Sequence, residues 1–546
     1  MPMTGVTVRS DERLRPPSPR ERQRRRIASS SAAIAVGTGL SRITGVLRLA
    51  ALAYALGTTR FSDTYNLANT TPNVIYELIL GGVLTATPVP VFVAHLDADD
   101  HDAVAAVTTV SAIVLAVFSA VGVIAAPLLV HLFTGAPDKA ATATTLLRYF
   151  MPQVFFYGAT AVLTAILNAR RSFAAPALTP VLNNLLVTAV LIALPHVFSA
   201  DPADFGAVAH DRAYLATVGI ATTLGVVVMA VALLPSLRHV DVRLRFLPAW
   251  RHPAVRKVVR MSGWTVGYVV ANQLALVVAL RLADGEGNGS QAAYLLAYTF
   301  FQLPHGLIAV TVMTTHGPAM ARSAAQRDWS HYRRDFSHGL RTIVVLVAPA
   351  AAGLVALAKP AVSVVLERGL FNAASTDVTG RLLAFYCVGL VGFSVYLFAL
   401  RGFYAVQDTR TPFVLNAIEN GLNIVLALIL VPLMGIDGLA LAFAAAYVVA
   451  AVLSVARLSR RVTPVVSATT GGVLVRAIAA AVLMGEVVYL LGQHVGADHG
   501  GGAVTRIAVG VPLGTFLYVL LLAVTRPSHR PGRARRPVLP GPTRRR

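Results

Sequence analysis

Charge is scarce in this 546-residue chain: Asp, Glu, Lys and Arg make up 13% of it, where an ordinary soluble domain carries about 25%. A soluble fold would have too little polar surface to enclose an apolar content of 55%. Cysteine is almost missing. The single Cys387 sits inside an apolar run, which excludes intrachain disulfides and cysteine-built metal sites and reads as core filling. The 14 histidines are scattered, with no ligand pair at helical spacing inside an apolar run. No Gly-Lys-Ser/Thr phosphate loop occurs, so ATP is not expected as a direct energy source, and nothing resembles a hydrolase, kinase or metal centre. The short alternating segments of an outer-membrane barrel are absent. So is a cleavable leader, because residues 1–27 are rich in Arg and Pro and have no apolar core.

What is present is a succession of long apolar runs. Segments such as "AVAAVTTVSAIVLAVFSAVGVIAAPLLV" and "LNIVLALILVPLMGIDGLALAFAAAYVVAAVLSVA" exceed the roughly 20 residues needed to cross a bilayer. Helix is the expected spanning structure, because it satisfies its own backbone in lipid. About fourteen candidate spans follow one another, the first over 28–57, the second over 64–95 and the last over 503–525. The expected fold is therefore an all-α polytopic membrane protein. Most Lys and Arg outside the spans lie in the two tails and the even-numbered connections, such as "LRHVDVRLRFLPAWRHPAVRK" and "RLSRR". The odd-numbered connections, such as "TGAPDK", "ADGEGNGSQ" and "MGID", hold few. That asymmetry predicts both termini on the cytoplasmic side and an even span count. The net charge of +22 is thus mainly a topology signal, and nucleic acid is not an expected partner.

Two segments repeat. "LNARRSFAAPALTPVLNN" and "LRGFYAVQDTRTPFVLNAIEN" both place a basic loop before Thr-Pro, at Thr179-Pro180 and Thr411-Pro412, and both continue Val-Leu-Asn, so that Asn184 matches Asn416. The offset holds six spans, and an even offset makes the copies parallel, related by an axis along the membrane normal. The expected organisation is a disordered basic tail (1–27), a first six-helix lobe (28–240), a second (241–462), two further helices (463–525) and a second basic tail (526–546). The cleft between the lobes is the expected substrate route.

Charges inside spans mark function, because they are costly in hydrocarbon unless they face a wet cavity or a partner. Arg148, Arg281, Arg341, Arg476 and Arg506 lie near span ends, where they can snorkel. Arg42 and Arg48, in "SRITGVLRLA", lie deeper. They are expected to line a cavity, or else to be locked to carboxylates, with Asp63 and Glu77 nearest in sequence. Six residues set them about 120° apart on a helical wheel, and Gly45 between them would allow a bend. The second span, "TTPNVIYELILGGVLTATPVPVF", reads as a broken helix through Pro72, Gly81, Gly82, Pro88 and Pro90, with Glu77 inside it. The eighth repeats the polar-then-Gly pattern with Gln302, Pro304 and Gly306. Asn416 and Asn420, one turn apart, are weak candidates for a cation site, helix–helix hydrogen bonding being the commoner use.

The segment "SRITGVLRLAALAYALGTTRFSDTYNLANTTPNVIYELILGGVLTATPVPVF" resembles the first two helices of the MurJ/MviN lipid II flippases, through Ser41-Arg42, Gly45, Arg48, Gly57, Asp63, Pro72-Asn73 and Val-Pro-Val. "LNARRSFAAPALTPVLNN" and "RGFYAVQDTRTP" resemble two further family segments, and the likeness spans residues 30 to about 525. It implies the fold of the multidrug/oligosaccharidyl-lipid/polysaccharide exporter superfamily, with the two extra helices forming a groove for a polyprenyl tail. It also implies transport, not catalysis. Lipid II, the undecaprenyl-pyrophosphate-linked peptidoglycan precursor, would move from the inner to the outer leaflet of the bacterial cytoplasmic membrane. Another polyprenyl-linked oligosaccharide, or drugs in an ion-coupled exporter, are the alternatives. Arg42, Arg48 and Asp63 match functionally important charges of the family, and Asn73, Tyr76, Glu77, Thr299 and Gln302 complete the implied substrate-binding set. Tyr76 and Thr299 stand where the family carries basic residues. No cofactor is implied beyond coupling to the membrane potential or a monovalent cation. Membrane lipids and the cell-wall synthesis machinery are the further partners. The Ala-, Val- and Arg-rich composition suggests an actinobacterial branch.

Overall fold

The computed structural model describes residues 19–81, 88–98, 100–240, 245–261, 263–462 and 464–525, and among these all regular structure is helical. The long helices are α1 (Pro19–Leu56), α2 (Arg60–Tyr76), α3 (His101–Ile124), α4 (Pro137–Ala169), α5 (Ala174–Val197), α6 (Arg212–Arg238) and α7 (Gly263–Asp284). They continue with α8 (Ser290–Ala325), α9 (Trp329–Ala356), α10 (Ala373–Val388 with Leu390–Ala405), α11 (Arg410–Met434), α12 (Asp437–Arg461), α13 (Ala468–Gly492) and α14 (Gly500–Val524). Twelve are long and apolar enough to cross a bilayer, and α10, bent by 48°, makes a thirteenth. The expected second span begins in α2, passes through a π turn at Glu77–Gly81 and ends in a short helix, Pro88–Asp97. Gly82 and residues 83–87 between them lie outside the described residues, so fourteen stands as an approximate count.

One boundary differs from expectation. Helix α1 starts at Pro19, inside the basic segment expected as a disordered tail. Arg, Gln and Glu are good helix formers, so the helix runs on from the apolar stretch into the basic segment. Helix α10 breaks at Gly389, whose Cβ would lie 2.5 Å from the backbone of Ala444. The close approach to α12 leaves no room for a side chain there.

Local chemistry starts many of the helices. Thr59, Asp100, Asp211, Asp328, Asn372 and Ser467 each accept a hydrogen bond from a backbone N–H of the first turn they precede, each worth about 1 kcal/mol. Glu367, in the connection before α10, accepts hydrogen bonds from His499 and Thr376. Partial burial works against its charge, but these contacts prevail and hold the carboxyl below its ordinary 4.5. The His499 contact also ties the start of α14 to the body.

The six-span repeat is visible in the packing. Helix α1 lies along α5 as α7 lies along α11, α2 meets α4 as α8 meets α10, and α4 meets α6 as α10 meets α12. The matched asparagines serve these pairs alike. Asn184 Nδ2 donates from α5 to Ser41 O and Thr44 Oγ1 of α1. Asn416 Nδ2 donates from α11 to Asn272 Oδ1 of α7. Helix α13 then packs on α9, and α14 on α13. The outer surface is apolar, with Ile124, Leu433 and Val524 largely exposed, as lipid contact requires.

The second helical bundle is held by an aromatic core. Phe301 of α8, Tyr386 and Phe393 of α10, and Phe443 and Tyr447 of α12 place neighbouring ring centroids 4.5 to 6.0 Å apart. Each such pair adds about 0.5–1.5 kcal/mol beyond its buried area. Phe301→Ala is therefore expected to destabilise the chain by about 3–5 kcal/mol, read as a lowered unfolding temperature of the purified protein in detergent. An unchanged unfolding temperature would remove the core from this account.

Candidate functional site: a cleft sealed on one face and lined by unpaired arginines

The two bundles meet at the odd-numbered connections through a buried charge cluster. Asp63, in the first turn of α2, is fully buried. Its Oδ2 accepts from the backbone N–H of Gly289 at 2.8 Å and its Oδ1 from that of Ala292 at 2.9 Å. These are first-turn donors of α8, which have no partner within the helix, so Asp63 of the first bundle caps a helix of the second. The α8 dipole favours the same carboxylate. Lys139 Nζ lies 3.5 Å from Asp63 and 2.5 Å from Asp284 at the end of α7. One cation thus bridges two carboxylates from opposite bundles with almost no exposure.

Two glycines let the backbones close around this cluster. Gly289 has φ +84°, and a Cβ there would lie 2.0 Å from Thr58 O. Gly57 has φ +58°, and a Cβ there would lie 2.5 Å from Leu370 O. Both positions combine left-handed backbone with cross-bundle contact, so only glycine fits without displacement. Leu370 N–H donates to Tyr54 O at 3.1 Å, and the Thr58 and Ser375 hydroxyls meet at 2.6 Å. The result is a continuous seal across one face.

The deep arginines lie below it. At 1.5 Å per residue, Arg48 and Arg42 stand about 12 Å and 21 Å along the helix from its Leu56 end. Among the described residues neither forms an ion pair or a hydrogen bond. Arg42 crosses to the second bundle, where a Cβ at Gly306 would be 3.6 Å from its Nη2. Gly306 lies in a second π turn, His305–Ala309 of α8. Gln302, one turn earlier, donates to Tyr298 Oη at 2.6 Å. Thr299 is exposed, its hydroxyl bonded back to Leu295 O. Across from Arg48, Tyr157 of α4 meets Tyr76 with ring centroids 5.7 Å apart. Asn73 bonds back to Asn69 O, and Glu77 is half-buried at the start of the π turn. By contrast, Arg341, Arg476 and Arg506 are held near span ends by Thr470, Thr525 O and Asp498.

The geometry revises two expectations. Asp63 and Glu77 do not lock Arg42 or Arg48, because Asp63 is turned to α8 and Lys139 while Glu77 has no ion pair among the described residues. Asp63 is not exposed to the cleft. Asn416 and Asn420 are buried between α7 and α11, where both donate to Asn272 Oδ1 at 2.9 Å. Asn420 also donates to Glu419 Oε2 at 2.8 Å, and Glu419 is 1% exposed with Oε1 unpartnered. Lys139, Asp284, Asn272 and Glu419 were not singled out in the sequence. Glu419 could have been, as a carboxylate inside an apolar run.

An apolar groove of about 1200 Å³ lies between α9, α10, α12 and α13. Its walls include Val344, Ala348, Val391, Val452, Val455 and Val482, with Glu486 and Tyr489 near one end. No cluster of three or more His, Cys, Asp and Glu capable of holding a metal occurs among the described residues.

Two pseudo-equivalent bundles joined through a buried charge cluster at one face, with Arg42 reaching from the first to the second and helices added beyond the repeat, have the architecture of a membrane transporter of the two-lobed exporter class. The family described as "Lipid II flippase MurJ" matches residues 52–509, and this chain belongs to it. Among curated relatives, the lipid II flippase MurJ of Burkholderia cenocepacia is 31% identical over 74% of this chain and 78% of its own length. The probable lipid II flippase of Haemophilus influenzae is 24% identical over 83% and 90%. A solved lipid II flippase MurJ in an inward closed conformation superposes with TM-score 0.74 at 20% identity, over 90% of this chain and 98% of that one. An inward-facing multidrug resistance MATE family transporter gives 0.64 at 15% identity, over 79% and 98%, a likeness of fold.

Removing one member of the seal should open it. Lys139→Ala leaves two buried carboxylates without their shared cation, at a cost of about 3–5 kcal/mol, and Gly289→Ala forces the backbones apart. Both are expected to raise maleimide labelling of a Thr58→Cys probe in isolated membranes, Thr58 now being half-buried against Ser375 and Gly289. Labelling that stays at the level of the parent would show that the seal does not depend on these residues.

Proposed function

We propose that this chain translocates lipid II from the inner to the outer leaflet of the bacterial cytoplasmic membrane by alternating access, with both termini cytoplasmic. The observation that carries this reading is the pair of unpaired arginines, Arg42 and Arg48, in a cleft between two bundles that are sealed on one face only by local contacts. A pyrophosphate headgroup supplies the anion such a site lacks, and guanidinium suits its oxygens in bidentate geometry. Because Tyr76 and Thr299 are neutral, Arg42 and Arg48 carry most of the headgroup charge. Gln302, Asn73, Thr299 and Tyr76 offer neutral hydrogen bonds around it, and Glu77 borders the same wall.

The apolar groove along α13 would hold the polyprenyl tail while the headgroup crosses. The cycle then needs the Asp63–Lys139–Asp284 cluster to release α8, so that the lobes rock and the headgroup leaves on the sealed face. No bond is made or broken and no cofactor takes part. Coupling to a monovalent cation or to the membrane potential falls most naturally to Asn272, Asn416, Glu419 and Asn420, where a buried carboxylate oxygen has no partner and gains from any cation or proton it takes up.

Depletion of the protein should trap lipid II in the inner leaflet, and wild-type expression should release it. Arg42→Ala and Arg48→Ala should each reduce transport about 10- to 100-fold, from the loss of about 1.5–3 kcal/mol per charged hydrogen bond, at unchanged protein level. Normal growth and normal outer-leaflet lipid II in both variants would overturn the assignment of the headgroup to these residues.

A further inference from the structure

A second cavity, of about 700 Å³, opens between α11 and α12 at the end of the molecule that carries the basic connections. Four guanidinium groups line it: Arg410 at the start of α11, and Arg457, Arg460 and Arg461 at the end of α12. Its one carboxylate is already committed. Asp408 accepts from the Thr411 N–H at 3.0 Å and its hydroxyl at 2.7 Å, and pairs with Arg461 Nε at 2.8 Å. The guanidinium groups of Arg410, Arg457 and Arg460 form no ion pair or hydrogen bond among the described residues. Like charges gathered in a concave site repel one another unless an anion joins them.

The remaining wall is apolar. Val414, Ile418 and Leu453 line the cavity and are 40–46% exposed on the lipid-facing surface. An occupant that satisfies both parts has a phosphate head among the guanidinium groups and hydrocarbon running along these three side chains. We propose that this cavity binds an anionic phospholipid of the leaflet on the basic face, with its phosphate held by Arg410, Arg457 and Arg460. Basic pockets between helices at that level are the form such recognition takes. No residue of α1, α2 or α8 lines it, so it is separate from the cleft of Arg42 and Arg48. Helix α12 stands between this cavity and the apolar groove, with Ala456 on the wall of both.

The test uses the full chain in detergent, examined by native mass spectrometry and thermal unfolding with added phosphatidylglycerol, phosphatidylethanolamine or inorganic pyrophosphate. Phosphatidylglycerol is expected to form retained adducts and raise the unfolding temperature. Arg457→Gln with Arg460→Gln should weaken its binding about thirtyfold, at roughly 1 kcal/mol per basic residue. Arg333→Gln with Arg334→Gln removes the same charge from the same face and should leave binding intact. Arg457→Lys with Arg460→Lys should retain most of it, which separates charge loss from misfolding. Equal losses in the two glutamine pairs, or equal stabilisation by phosphatidylethanolamine, would overturn the site. Equal stabilisation by pyrophosphate alone would show a soluble-anion site and overturn the lipid assignment.

Discussion

The arrangement of the whole molecule depends on one buried carboxylate. Asp63 gives both oxygens to main-chain donors of α8 and shares Lys139 with Asp284. A carboxylate in that position would be prohibitively costly without such partners. Here the helix dipole, two N–H donors and an ammonium group meet it together. Because those partners come from both sides of the repeat, satisfying the charge and closing that face are the same event. Separating the lobes would expose the three charged groups at once, so water must replace the bonds as they break.

The arginines of the cleft obey the opposite rule. Arg42 and Arg48 have no protein counter-charge among the described residues, although carboxylates occur on the neighbouring helix. A permanent partner would lower the cost of burying them but would compete with any arriving anion. Leaving them unpaired keeps the stabilisation available for a headgroup. The cost is a helix carrying two charges that only water or an anion can meet.

Much of the fold was legible in the sequence, because hydropathy and the sidedness of charge act over whole segments. The lone cations in α1 were legible for the same reason: a charge in an apolar run stands out. The seal was not. Its members are Asp63, Lys139 and Asp284, with Gly289 226 residues from Asp63, and two of its donors are main-chain groups with no side-chain signature. Nearness along the chain also misled. Asp63 and Glu77 are the carboxylates nearest to Arg42 and Arg48 along the chain, yet Asp63 faces the other lobe and Glu77 forms no ion pair among the described residues. Asn416 was readable as half of a repeat, and in each copy the asparagine bonds to the helix lying alongside, Asn416 to Asn272 and Asn184 to Ser41 O.

The π turns of α2 and α8 occupy corresponding helices of the repeat, at Glu77–Gly81 and His305–Ala309. A π turn holds one residue more than an α turn. If it passes along the helix by a turn, each residue it crosses swings by about 100° around the axis, while the ends of the helix stay where they are. Both walls of the cleft therefore contain a rotary element. Residues such as Gln302 and Gly306 can be turned toward or away from Arg42 by exchanging backbone hydrogen bonds, without bending either helix.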